Sequence, residues 1–141
     1  MFRGGFLHSI DDKGRLIIPL KFRTLLGEKF VITKGLDRCL WVFSQEAFRK
    51  LDERLNQQPL LDLNALRLHR FFCAEAMDSS ADSQGRVALP PNLRDYAGID
   101  KDILIVGAGN RLEIWSKDRW DEITASLTPE VISESAKQVG I

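Results

Sequence analysis

Apolar residues occur in short runs broken by glycine and proline, and in places this gives way to a helical spacing. The runs Arg15–Ile18 and Arg86–Leu89 each follow a glycine and end at a proline, Pro19 or Pro90, which reads as a strand. The segments reaching Gly27 and Gly98 read as one or two helical turns stopped by glycine. Two further strand pairs are expected, Lys29–Thr33 with Cys39–Phe43 and Ile103–Val106 with Arg111–Trp115. Their connections, Gly35-Leu36-Asp37 and Gly107-Ala108-Gly109-Asn110, carry hairpin residues. Ser44 and Ser116 then cap helices in which Phe48, Leu51 and Leu55, and Trp120, Ile123 and Leu127, fall at i, i+3 and i+7. Gln58-Pro59 and Thr128-Pro129 break the chain and set a proline at a first helical position. A second helix is expected over Leu60–Phe72, with a shorter counterpart over Pro129–Val139 that frays at its C-terminus.

These elements repeat. Asp11-Asp12-Lys13-Gly14-Arg15-Leu16-Ile17-Ile18-Pro19 recurs 71 positions later as Asp82-Ser83-Gln84-Gly85-Arg86-Val87-Ala88-Leu89-Pro90. Arg23 then matches Arg94 and Gly27 matches Gly98, and after one inserted residue Gly35, Leu40, Phe43 and Ser44 match Gly107, Leu112, Trp115 and Ser116. So few short strands per half cannot bury an apolar face alone. Two halves can supply that face to each other about a pseudo-twofold axis. The expected architecture is α+β and interlocked, with one repeat over 5–72 and the other over 77–141, each followed by its helices.

Composition narrows the class. At 44% hydrophobic and 28% charged residues, the 141-residue chain is neither disordered nor a disulfide scaffold. No run approaches the ~18–20 apolar residues of a membrane span, and Met1–His8 shows no signal-peptide pattern, so a cytoplasmic protein is expected. Cys39 and Cys73 stand singly in apolar stretches and read as buried, reduced thiols. The net charge of zero conceals a split: residues 1–71 carry 13 basic and 8 acidic groups, residues 72–141 carry 7 and 12. Unlike halves favour head-to-tail contacts, which can close into rings.

The candidate chemistry is Asp-x-x-Gly-Arg, present twice and each time directly before a strand. Gly14 and Gly85 allow a tight turn, and Asp11 and Asp82 can cap it or pair with the arginine. A turn alone does not demand the same arginine twice. Arg15 and Arg86 on rigid turns suit phosphate, or guanine O6 and N7 in a major groove, through their planar forks. Lys13 adds a second cation, with Arg3, Lys21 and Arg23 nearby in sequence. No catalytic set is legible: His8 and His69 have no metal-ligand partner spacing, no Gly-x-Ser-x-Gly exists, and Gly107-Ala108-Gly109 lacks the third glycine of a dinucleotide loop. Neither cofactor, metal nor small-molecule substrate is expected. His69 reads as a surface or packing residue. Phe71-Phe72 is the candidate subunit contact, with the core as its default place.

Met1-Phe2-Arg3-Gly4, the two Asp-x-x-Gly-Arg segments with Pro19, Phe22 and Arg23 or Pro90, Leu93 and Arg94, and Val106-Gly107-x-Gly109-Asn110-Arg111-Leu112-Glu113-Ile114-Trp115 together resemble the bacterial MraZ family over the whole chain. The resemblance implies tandem swapped-hairpin repeats of the SpoVT-AbrB type and a ring-shaped homo-oligomer. It also implies a transcriptional regulator, a repressor in the first instance, of the division and cell-wall gene cluster. Such a protein binds direct repeats of double-stranded DNA in its own promoter and associates with the nucleoid. The family's DNA-contacting arginines map onto Arg15 and Arg86, with Asp11, Gly14, Asp82 and Gly85 in support and Lys13 and Arg3 adding charge. Arg15, with its neighbouring lysine, ranks above Arg86. The alternative is a protein-interaction module, antitoxin-like or a scaffold, of the same fold.

Overall fold

The computed structural model describes residues 1–141, and its first feature is exchange between the repeats. The first repeat runs β1 (Gly5–Ser9), β2 (Arg15–Ile17), α1 (Leu20–Leu26), β3 (Phe30–Lys34), β4 (Leu40–Ser44), α2 (Gln45–Asn56) and α3 (Leu63–Cys73). The second runs β5 (Met77–Ser79), β6 (Arg86–Ala88), α4 (Pro91–Ala97), β7 (Asp102–Gly107), β8 (Leu112–Ser116), α5 (Lys117–Ala125) and α6 (Pro129–Gln138). No helix is long and apolar enough to cross a membrane.

One antiparallel sheet has the order β1-β7-β8-β4-β3-β5. The hairpins β3–β4 and β7–β8 meet at its centre, where Trp41 stands opposite Glu113 between the pairs Leu40–Ile114 and Val42–Leu112. Each hairpin is completed by the other repeat's first strand: β1 pairs with β7, and β5 with β3. The second strands leave this sheet and pair with each other, Leu16 opposite Val87, as a separate two-stranded ribbon. The pseudo-twofold therefore passes through both sheets.

Burial explains the exchange. Leu16, Ile18, Phe22, Val87, Leu89 and Leu93 pack against Ile32, Val42, Ile105 and Ile114 in one core drawn from both repeats. Each such side chain stabilises by about 1.5–3 kcal/mol when fully buried, so neither half is viable with this face open to water. A second cluster forms where α2 and α3 cover the sheet. Trp41 stacks on Phe72 with ring centroids 5.4 Å apart, and Leu55, Phe43 and Trp115 close around them. The buried Thr33 hydroxyl donates to the Phe72 carbonyl at 2.6 Å, pinning the end of α3 to β3.

Four expectations are corrected. Strands β1 and β5 lie outside the predicted set; β1 alternates only between exposed and half-buried residues, a weak signal, and β5 has three residues. The second helix starts at Leu63, not Leu60, because the Asp62 carboxylate accepts from the Asn64 and Ala65 N–H groups. Pro59 is consequently a turn residue, its carbonyl accepting from Asp62 N–H, and Leu60 and Leu61 are exposed. Cys39 is buried but Cys73 is exposed, because the helical rotation that turns Phe72 toward Trp41 turns the next residue away. Phe71 and Phe72 are packing residues of the second cluster, with Phe71 set edge-on to Phe72 and Tyr96. Pro129 does occupy the first turn of α6, behind a Thr128 cap.

Candidate nucleic-acid interface

The two Asp-x-x-Gly-Arg segments form the same turn by the same bonds. Asp11 Oδ1 accepts the N–H groups of Lys13 and Arg15, each at 2.9 Å, and its backbone carbonyl accepts Gly14 N–H at 3.0 Å. Gly14 closes the loop at φ 72°, in the left-handed region that glycine enters without steric cost. Asp11 Oδ2 then takes Arg15 Nε at 2.9 Å. In the second repeat Asp82 holds Gln84 N–H, Arg86 N–H and Arg86 Nε at 2.9, 2.8 and 2.8 Å, with Gly85 at φ 80°. Capping and pairing are thus combined in one carboxylate.

This arrangement has an electrostatic consequence. The Arg15 backbone N–H, together with its guanidinium and the Lys13 N–H, holds the Asp11 carboxyl below the usual carboxylate range, against the opposing effect of desolvation. The Arg86 N–H, its guanidinium and the Gln84 N–H do the same for Asp82. Each arginine spends only Nε on its aspartate. Its two terminal nitrogens have no partner in the chain.

The ribbon sets both forks on one face. Residues alternate along a strand, so the buried pair Leu16 and Val87 faces the core while Arg15, Ile17, Arg86 and Ala88 face out. Arg15 stands opposite Ala88 and Arg86 opposite Ile17, a diagonal relation in which side chains start about 7–8 Å apart.

Each turn is also covered from the other repeat. Arg94 donates Nε to the Leu89 carbonyl at 3.0 Å and lies across Gly14, while Arg23 donates to the Ile18 carbonyl at 2.9 Å and lies across Gly85. Lys13, Arg15 and Arg94 thus surround the first turn, and Arg86 and Arg23 the second. Arg94 is a member that sequence proximity misses; its signal is that it repeats Arg23. Arg3 is not brought to the turns. It lies at the opposite end of β1, where Phe2 pairs with Gly109 and the Arg3 backbone crosses Gly107.

A second grouping lies apart from the ribbon. His69 Nε2 is 3.2 Å from Asp52 Oδ1, and Cys73 stands beside them, one turn along α3. The sequence signal was the His-x-x-x-Cys spacing on one helix face, which a search for paired histidines passes over.

Comparison with known proteins places the chain in a family. The profile of the family described as "MraZ protein, putative antitoxin-like" matches residues 1–71 and again 72–139. A protein of Acetivibrio thermocellus is 44% identical over the full length of both chains, and one of Clostridium tetani 45% identical, again over both full lengths. One of Natranaerobius thermophilus is 49% identical over 86% of this chain and 85% of its own. All three are named transcriptional regulator MraZ.

Proposed function

The chain belongs to the MraZ family, and from that premise we propose that it is a sequence-specific regulator of transcription that reads double-stranded DNA with the β2–β6 ribbon. The observation that carries this is the pair of aspartate-held arginines on the ribbon's outer face. A major groove about 12 Å wide admits a two-stranded ribbon, and an arginine fork there meets guanine O6 and N7 with two parallel bonds. The aspartates hold the forks in place before binding, so little side-chain entropy is lost on contact. Ile17 and Ala88, exposed between the arginines, offer apolar contact to thymine methyl groups. Lys13, Arg23 and Arg94 around the turns serve phosphates, and Arg3 serves a more distant one.

Arginines whose side chains start about 7–8 Å apart, roughly two base steps, give one ribbon a short site to read. Useful affinity then requires several ribbons on repeated sites. This supports a homo-oligomer on repeated sites; the family resemblance extends the reading to a ring on direct repeats in the protein's own promoter, acting as a repressor of the division and cell-wall genes at the nucleoid. Leu63 and Leu66 on α3, and Val131 and Ile132 on α6, are exposed apolar positions suited to such self-association. The reading is of a binding protein and not an enzyme.

The test is fluorescence anisotropy with DNA from upstream of the protein's own gene and with unrelated duplex, over a series of salt concentrations, beside sedimentation of the protein alone. Preferred binding of the upstream DNA, a log–log salt slope of about −0.9 per phosphate contact, and a species several times the 16.0 kDa chain are expected. Equal affinity for both DNAs removes the sequence-specific reading and favours the interaction-module alternative. A stable monomer removes the ring.

A further inference from the structure

We propose that Asp52, His69 and Cys73 form a zinc site that clamps α2 to α3. The three residues each offer one ligand atom, and these atoms lie within 4.8 Å of one another. They come from two elements: Asp52 from α2, and His69 with Cys73 from consecutive turns of α3. Residues four apart on a helix share a face, so both α3 ligands address the same point.

Chemistry and geometry select the metal. A thiolate, an imidazole and a carboxylate form a mixed set suited to Zn²⁺, whereas Mg²⁺ and Ca²⁺ call for oxygen alone. Bonds of about 2.0–2.3 Å in a tetrahedron put ligand atoms roughly 3.3–3.8 Å apart. The Asp52–His69 edge, at 3.2 Å, is already close to that length. The edges to Cys73 are no longer than 4.8 Å, and Cys73 is an exposed side chain. Water completes the fourth position.

The surroundings resemble a supported site and not a chance surface pair. The other Asp52 oxygen, Oδ2, accepts from Asn56 Nδ2 at 3.3 Å, the kind of outer contact that orients a metal-binding carboxylate. Next to Cys73, Phe72 is stacked on Trp41 and its carbonyl is held by Thr33, so α3 is rigid where the ligand leaves it. Leu51, Leu55, Leu68 and Phe72 line the groove between the two helices beside the site. Bound metal would set the width of that groove.

The experiment is titration of the reduced full-length protein with Co²⁺, followed by Zn²⁺. We expect one equivalent of Co²⁺ per chain at micromolar metal, a thiolate-to-cobalt charge-transfer band, visible d–d bands of four-coordinate intensity, and bleaching by Zn²⁺. Cys73→Ser should abolish the charge-transfer band, and His69→Gln and Asp52→Asn should each weaken binding at least ~tenfold. Cys39→Ala should leave the spectrum unchanged. All four variants are checked for native circular dichroism, and zinc should raise Tm in the wild type but not in Asp52→Asn. The absence of a saturable band in the wild type overturns the proposal. A band that survives Cys73→Ser, or that is indifferent to both His69→Gln and Asp52→Asn, overturns it equally.

Discussion

Arg94 of the second repeat lies across Gly14 of the first, its Cζ 3.0 Å from the place a Cβ would occupy, and Arg23 repeats the contact on Gly85 at 2.9 Å. Each turn therefore depends on the other half of the chain. Gly14→Ala meets two obstacles, a left-handed φ of 72° and the guanidinium above it. The backbone cost alone is about 1–2 kcal/mol. Gly14→Ala should lower stability by at least that amount in urea unfolding, and removing Arg94 as well should recover only the steric part. A Gly14→Ala protein as stable as wild type would show that the turn is not held as described.

Arg15→Ala should leave folding intact, because the residue is only half-buried and Asp11 keeps its backbone bonds. It should lose roughly 1–3 kcal/mol of DNA binding at each engaged ribbon. Arg86→Ala should lose less, since Lys13 flanks only the first turn. Anisotropy titrations of both variants, with sedimentation in parallel, decide this. Wild-type affinity in Arg15→Ala would remove the ribbon from the DNA interface, and unfolding would make the arginine structural.

Acid should loosen the turns. The Asp11 and Asp82 carboxyls are held below their ordinary pKa by bonds that exist only in the folded chain. Their contribution is therefore complete above the unfolded value of ~3.9 and is lost as pH falls through the lower folded value. A carboxyl-carbon NMR titration should find both midpoints below ~3.9. Midpoints at or above it would mean that the arginines do not hold the aspartates in solution.

The two thiols should differ in reactivity. Burial, then the nearby Glu113 and Asp37 charges, pushes Cys39 up to about 12, and its thiol donates to the Leu36 carbonyl at 3.2 Å. Cys73 is also raised, by desolvation and then by Asp52, but it is exposed. In mildly alkaline solution a disulfide reagent should modify one thiol per native chain, at Cys73, and reach Cys39 only on unfolding. Two thiols reacting together at one rate would contradict the burial of Cys39.

The sequence by itself determined the repeat, the turns and their arginines, the paired hairpins and the capped helices that follow. These depend on local rules: glycine at a positive φ, an aspartate within reach of N–H groups two and four residues on, and serine before a helix. Even the Asp11–Arg15 bond is contained in five consecutive residues. Tertiary structure alone decided which strands pair. Nothing local distinguishes β1 beside its own hairpin from β1 beside β7, and the choice follows from burying Leu16 and Val87 against each other under both sheets. That choice set Arg15 and Arg86 on one outer face, carried Arg94 to Gly14, and left Arg3 at the far end of β1. Packing of α2 on α3 within the first repeat brought Asp52 to His69 and Cys73. Contacts across 17 or 80 residues exist only once a shared core has paid their loop entropy, and no local pattern encodes them.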